Sequence, residues 1–377
     1  MTDKYVIPRL DFESQLVAIL FEIERLRSDI GTGDTPRDTY LELHRLFDFV
    51  MSVVSARIEG NHTTVYDALD QIESGISSTA DQLSEIKNIA ETARFIDSLP
   101  AEAALTHTLI REIHRRTVDG LVREGDPTPG SYRKVDVAIT ESTHVPPSWV
   151  TVHAEMSALL DFANAERPLH EQMLQIAIAH HRFVWIHPFR NGNGRVSRLF
   201  TYAMLRKTIF ATRGYSALNP TAVFGNDRDA YISALERADS LTADGTIAWA
   251  EFFVSGIRDD IARLIELQRH EFVIDHLVGP ALDSLLRDGV VSREAHAALR
   301  VTLERGVVKA GDLEDVIRGS AAQRSRFIRG LRERNLLQYA EEGPRFYRLS
   351  LSRGPLATRL IRRLDTLGYL PRMLSDD

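Results

Sequence analysis

The chain has 377 residues, with 46 Lys+Arg against 53 Asp+Glu, a net charge of −7, and no cysteine. That length allows two or three domains around a sizeable core, and the 44% apolar content is that of a soluble globular protein. The composition excludes disulfides, thiolate zinc sites and cysteine nucleophiles, and mild acidity argues against a whole-chain nucleic-acid coat.

The first residues, MTDKYVIPRLDFESQ, lack an apolar run behind basic residues, so no signal peptide is expected. No stretch approaches the ~20 apolar residues of a membrane span, and a cytoplasmic setting with no membrane partner is the expectation. Residues 13–29 then place Leu16, Ile19, Leu20, Ile23 and Leu26 at helical spacings. A second helix starts at Thr35-Pro36, with Thr35 as N-cap and Pro36 in the first turn. It runs through LELHRLFDFVMSVV and stops near Glu59-Gly60-Asn61, where Gly and Asn tolerate left-handed geometry. Further helices are predicted over 80–98 and 101–122.

At 125–148, Gly and Pro surround an alternation of Val135, Val137 and Ile139, which predicts a short hairpin or flap. Helices resume over 151–166 and 168–186, the second apolar on most sides and therefore central. Another begins within Asn193–Arg198. Toward the C-terminus, 312–319 and 320–335 predict two helices joined at Gly319, the second capped by Ser320. LLQYAEEGPRFYRLSL then alternates around a Gly-Pro turn, completing a helix-turn-helix with a two-stranded wing. Arg324, Arg326, Arg329, Arg332 and Arg334, with Arg345 and Arg348 of the wing, make DNA a candidate partner. The expected division is 1–98, a helical region; 99–265, a core; and 266–377, a winged-helix-like domain.

The chemistry concentrates between His187 and Arg198, HPFRNGNGRVSR. A histidine leaves a buried helix, a loop with Gly192 and Gly194 follows, and a new helix carries Arg195 and Arg198. Unobstructed backbone N–H groups at a helix start form an anion site. Arg195 and Arg198, three apart, share a helix face and can add charge-assisted bonds to phosphate oxygens. Histidine suits removal of a proton from an attacking hydroxyl. The pattern points to nucleophilic attack at a phosphate, while the P-loop and dinucleotide-binding glycine motifs are missing. His180 and His181 lack zinc-helix spacing and read as satisfied histidines.

This segment resembles the Fic family signature, H-x-F-x-[DE]-G-N-G-R-x-x-R, with one departure at Asn191, where the family has Asp or Glu. Ser55-Ala56-Arg57-Ile58-Glu59-Gly60 resembles the family's inhibitory motif [ST]-x-x-x-E-[GN], and the flap pattern of Gly130, Tyr132, Arg133, Val137, Ile139, Pro146 and Pro147 is also similar. The resemblance implies a mainly α fold: a helical core with a β-hairpin flap, an inhibitory helix and a C-terminal winged helix-turn-helix. It implies transfer of AMP from ATP to a Ser, Thr or Tyr hydroxyl of a protein target. His187 would be the base, and Gly192, Asn193 and Gly194 the anion hole. Arg195 would bind the β-phosphate and Arg198 the γ-phosphate, with Phe189 as the buried anchor. Asn191 would stand in weakly for the ligand of a Mg2+ ion and lower the activity. Residues Val135, Asp136, Val137, Ala138 and Ile139 would hold the target by strand addition. Ser55, Glu59 and Gly60 would be inhibitory, with Glu59 pairing Arg198. The alternatives are another phosphate-group transfer on the same fold and a nucleotide-binding regulator with weak or absent transfer. DNA contact and a homodimer are further partners to test.

Overall fold

A computed structural model describes residues 4–73, 81–100, 102–139, 142–208 and 222–374; Ala101 of the 101–122 helix and Thr140 and Glu141 of the flap lie outside them. Helix α1 (Gln15–Arg27) is capped by the Ser14 hydroxyl, which accepts the Val17 N–H, and buries Leu16, Ile19, Leu20 and Ile23. Helix α2 (Arg37–Ile58) begins differently from expectation. Thr35 does not cap it, because its hydroxyl donates to the Leu267 carbonyl at 3.1 Å, and Pro36 stands at the cap position without a side-chain bond. The other end is as the sequence implies, with Glu59 as C-cap and Gly60 at φ +93°.

The short helix α3 (Val65–Glu73) was not expected. Helix α4 (Asp81–Ser98) matches its predicted span. Helix α5 (His107–Thr117) is shorter than predicted, because Thr106 caps it late and Gly120 turns the chain away at φ +67°. Helices α6 (Val152–Asn164), α7 (Leu169–Ile186) and α8 (Asn193–Thr208) follow, then α9 (Ala222–Gly225), α10 (Arg228–Ala238) and α11 (Ala243–Leu267). Helix α7 is central, packed by α1, α6, α8 and α11. Its Phe183 is fully buried, and Trp249 of α11 donates its indole N–H to the Ala177 carbonyl at 2.6 Å.

The flap forms no strand among its described residues. Arg133, 2% exposed, takes the place of a cross-strand ladder. Its guanidinium donates to Val135 O on one limb at 3.1 Å, to Pro147 O on the other, and to His187 O at 2.8 Å. Trp149 N–H adds a bond to Asp136 Oδ1 at 2.8 Å. The backbone edge of 135–139 is therefore left without a strand partner.

After a short α12 (His270–Phe272) and a π-helical stretch (Val273–Val278) come α13 (Gly279–Arg287) and α14 (Arg293–Arg305). A three-stranded antiparallel sheet follows, β1 (Val308–Lys309), β2 (Leu337–Ala340) and β3 (Gly343–Leu349), in the order β1-β3-β2. Its hairpin turns at Glu341-Glu342, not at the Gly-Pro pair, which opens β3. The 312–319 helix is replaced by a 3₁₀ turn, Ala310–Leu313, whereas α15 (Ala321–Glu333) carries the expected Ser320 cap. Helix α16 (Gly354–Thr366) packs back on α13. Arg348 departs from its expected role: it is 5% exposed and pairs with Asp38 at 2.9 Å and Glu42 at 3.5 Å, joining β3 to α2 and out of a duplex's reach. Among the described residues no helix is long and apolar enough to cross a membrane.

Candidate active site

The loop between α7 and α8 is held from four sides. His187 closes α7 in the left-handed region, φ 51° and ψ 62°, a conformation that costs a non-glycine residue about 1–3 kcal/mol. Its N–H bonds Phe183 O at 3.1 Å, and Arg133 holds its carbonyl, so the strained residue is fixed at both ends. Phe189 is fully buried and stacks on the His114 ring at 3.7 Å. That ring accepts Gly130 N–H on Nδ1 at 2.9 Å and reaches Asn191 O from Nε2 at 3.2 Å, which ties the flap to the loop. Asp126 accepts the N–H groups of Arg190 and Asn191 at 3.1 and 3.2 Å. Asn193 closes the loop by bonding both N–H and C=O of Phe189 at 2.9 Å.

Burial pushes the His187 imidazole down to about 4, so at neutral pH it is uncharged and can accept a proton. Its Nδ1 is buried with no hydrogen-bond partner. A cleft of about 390 Å³ lies at the last turn of α7, lined by Trp185 with Ile139, His144, Arg228 and Ile232 but not by His187.

At the start of α8 the first-turn N–H groups have no intrahelical acceptor and present positive charge. Gly192, at φ +76°, lets the chain turn there. Gly194 has a different reason: a Cβ at this position would lie 2.2 Å from Glu59 Oε1. The Glu59 carboxylate thus rests on the glycine of the anion cradle. It accepts from Arg198 Nη2 at 2.8 Å, while Arg198 also donates to Ser55 Oγ and Ser55 O at 2.9 Å. Crowding by protein opposes the charge on Glu59, yet Arg198, with Arg195 and His187 behind it, holds its carboxyl below the ordinary value. Arg228 donates to Ile58 O at 3.0 Å and fixes this helix end from α10.

Arg195 is also occupied, by residues that carry no sequence signal. Its Nη1 donates to Glu85 Oε1 at 2.7 Å and its Nη2 to Glu124 O at 2.9 Å, both side chains of the Arg195–Glu85 pair being at most 1% exposed. Asn61, just past the α2 turn, donates to Glu85 Oε2 at 2.8 Å.

The expected residues therefore converge: His187, Gly192, Gly194, Arg195, Arg198, Ser55 and Glu59 lie around one loop, with Gly60 turning the chain away and Val135 to Ile139 alongside. Asn193 braces the loop with its side chain. Asn191 turns inward, its Oδ1 accepting Gly192 N–H at 2.7 Å and its Nδ2 donating to Gly125 O at 3.2 Å. A neutral amide so engaged, beside an Asp126 whose oxygens are both taken by loop and Thr128 donors, is a poor fit for a magnesium ion. His180 bonds Thr201 and Tyr231, and His181 bonds Leu235 O and Asp239, as satisfied histidines do.

Comparison with known proteins agrees with this geometry. The profile of the Fic/DOC family matches residues 104–205. A relative from Nematostella vectensis, named protein adenylyltransferase Fic, is 27% identical over 194 residues, 49% of this chain and 42% of its own. One of the same name from Drosophila willistoni is 30% identical over 192 residues, 49% of this chain and 36% of its own. The matched region thus spans less than half the length of these relatives. In fold, a Fic family protein from Desulfovibrio desulfuricans G20 is similar with a TM-score of 0.56 at 22% identity, covering 91% of this chain and 98% of that one. Fic-1 from C. elegans is similar with a TM-score of 0.51 at 21% identity, covering 66% of this chain and 72% of that one.

Proposed function

Given a chain that belongs to the Fic/DOC family, we propose that it is a protein adenylyltransferase held inactive by Glu59. Its substrate would be ATP, its acceptor a Ser, Thr or Tyr hydroxyl of a protein, and its catalytic unit residues 99–265. His187 takes the hydroxyl proton as the oxygen attacks the α-phosphorus. The bond from that phosphorus to the β-phosphate bridge breaks, pyrophosphate leaves, and AMP stays on the target. The N–H groups of Asn193 and Gly194, and that of Gly192 once Asn191 Oδ1 lets it go, receive the charge that grows on phosphate oxygens. Arg198, released from Glu59, holds an outer phosphate while Arg195 braces the helix start, and the edge at 135–139, without a strand partner among the described residues, aligns the target by strand addition. Magnesium finds no prepared ligand set at Asn191, and no step is assigned to it. A cytoplasmic setting belongs to the same proposal, supported by the lack of cysteine.

One observation carries the reading: Glu59 Oε1 sits on Arg198 at 2.8 Å and over Gly194, where a terminal phosphate would bind. Glu59→Gly clears that position, so transfer should rise well above the wild-type level. ATP labelled at the α-phosphate tests it. Label on protein supports the proposal, label only from the γ-phosphate makes the chain a kinase-like transferase, and binding without transfer makes it a nucleotide-binding regulator. In the C-terminal part, α15 with the β2-β3 hairpin supports a winged-helix reading, and Arg326 and Arg329 are exposed on it. A duplex held there should be released steeply by salt, and substitution of both arginines should abolish the retention.

A further inference from the structure

Helix α2 buries three carboxylates and an imidazole along its length, and they are not treated alike. Asp38 and Glu42 meet Arg348. His44 and Asp48, each 5% exposed, meet no arginine or lysine within ion-pair distance among the described residues. Neither ring nitrogen of His44 finds a hydrogen-bond partner, and Asp48 Oδ1 has none. They face one another and Asp97 at ion-pair distance but short of a hydrogen bond, an arrangement that a ligand between them would complete.

Their neighbours give its chemistry. His44 and Asp48, four apart, project from one face of α2 toward Asp97 at the end of α4. His44 Nε2 lies 3.3 Å from Asp48 Oδ2 and 3.6 Å from Asp97 Oδ2, and all three ligand atoms lie within 4.8 Å of one another. The first two distances are long for hydrogen bonds of 2.7–3.2 Å. They fit the edge of a tetrahedron with arms of about 2.0–2.1 Å, which is about 3.4 Å. The Asp97 carboxylate is oriented by the Tyr202 hydroxyl, as a metal-binding carboxylate is by its outer partner. Its side chain is 21% exposed, and Arg206 Nε stands 3.6 Å from its Oδ1, which leaves Oδ2, the atom nearer His44, for the ion.

We propose that His44, Asp48 and Asp97 form a binding site for a divalent transition-metal cation of the zinc type, stapling α2 to α4. One imidazole and two carboxylates suit such an ion better than magnesium, which prefers oxygen alone. The staple has a consequence that rests on the function proposed above. Helix α2 carries Ser55 and Glu59 and α4 carries Glu85, so one ion holds both carboxylate-bearing helices against the arginines of α8.

The full chain, stripped of metal and free of nucleotide, is titrated with Zn2+ by calorimetry and with Co2+ by visible absorption. One equivalent should bind, with the d–d bands of a four-coordinate N/O site, and zinc should raise the melting temperature. Asp97→Asn and His44→Gln should each weaken binding by at least about tenfold and remove the thermal shift. His153→Ala should leave both intact; its ring lies 4.5 Å from His107, the neighbouring imidazole pair that could bind zinc instead. Absence of a saturable site, or a site that survives Asp97→Asn, overturns the proposal, as does one lost with His153→Ala. If His44→Gln fails to fold, Asp97→Asn at the rim decides alone. A chain that binds zinc here but transfers no AMP would fail the proposed function and leave the metal site standing.

Discussion

The two ends of the His187–Arg198 loop are in opposite states. At the His187 end burial keeps the imidazole uncharged at neutral pH and its backbone is clamped by Arg133. At the α8 end both arginines are already engaged, Arg198 by Ser55 and Glu59 and Arg195 by Glu85 and Glu124. On the function proposed above, the difference teaches that inhibition needs no dismantled machinery: one carboxylate, that of Glu59, takes the place of a phosphate group at Arg198. The two arginine sites differ again. Glu59 is 30% exposed at a helix end, whereas Glu85 is 1% exposed between helices. On the proposed function the first is a removable latch, whereas the second is part of the packing.

The largest effect should come from the assembled end. In a Glu59→Gly background, His187→Ala should lower AMP transfer by about 10²–10⁴ with ATP binding nearly unchanged. Turnover near the parent rate would show that the assembled end is not the catalytic one.

Next is Glu85→Ala, which strands a buried Arg195 and should cost about 3–5 kcal/mol in denaturant unfolding without activating transfer. Glu59→Gly should change stability by less than about 1 kcal/mol, as a part-exposed pair does. Equal stability losses would erase the distinction between latch and packing.

A pH profile sharpens the comparison more finely. A folded-state pKa near 4 means that protons leave His187 below physiological pH, so kcat/KM should rise through about pH 4 and stay flat from 6 to 8. Glu59 raises that pKa, so its removal should push the rise lower still. An inflection near 6.5 would place the imidazole in water.

The smallest effect is expected at Asn191. Asn191→Asp in the Glu59→Gly background supplies the missing carboxylate, and the magnesium concentration for half-maximal transfer should fall several-fold. No change would mean that the inward turn toward Gly125 and Gly192 persists in the variant.

Helices and caps were legible where a local rule governs them. The spacing of Leu16, Ile19 and Ile23, the Ser320 cap and the glycine stop after α2 all depend on residues within a few positions. The flap was legible as an interruption but not as a ladder-free loop, because what holds its limbs is Arg133 reaching 14 residues ahead to Pro147 and 54 to His187. The Gly-Pro pair suggested the wrong turn because Gly343, at φ +123°, opens a strand while the acidic pair before it makes the reversal.

The sequence by itself determined the loop that carries the chemistry, since a histidine, two glycines and two arginines within twelve positions need only a helix end and a helix start to converge. It also marked Ser55 and Glu59. Only the tertiary structure decided what occupies the arginines and what braces the loop. Glu85 meets Arg195 across 110 residues, Asp38 meets Arg348 across 310, and Asp126 accepts the backbone N–H of Arg190 across 64. Such partners follow no local period. They are set by the need of each buried charge for an opposite charge or a hydrogen-bond donor, and that need is met only where folding brings distant segments to the same place.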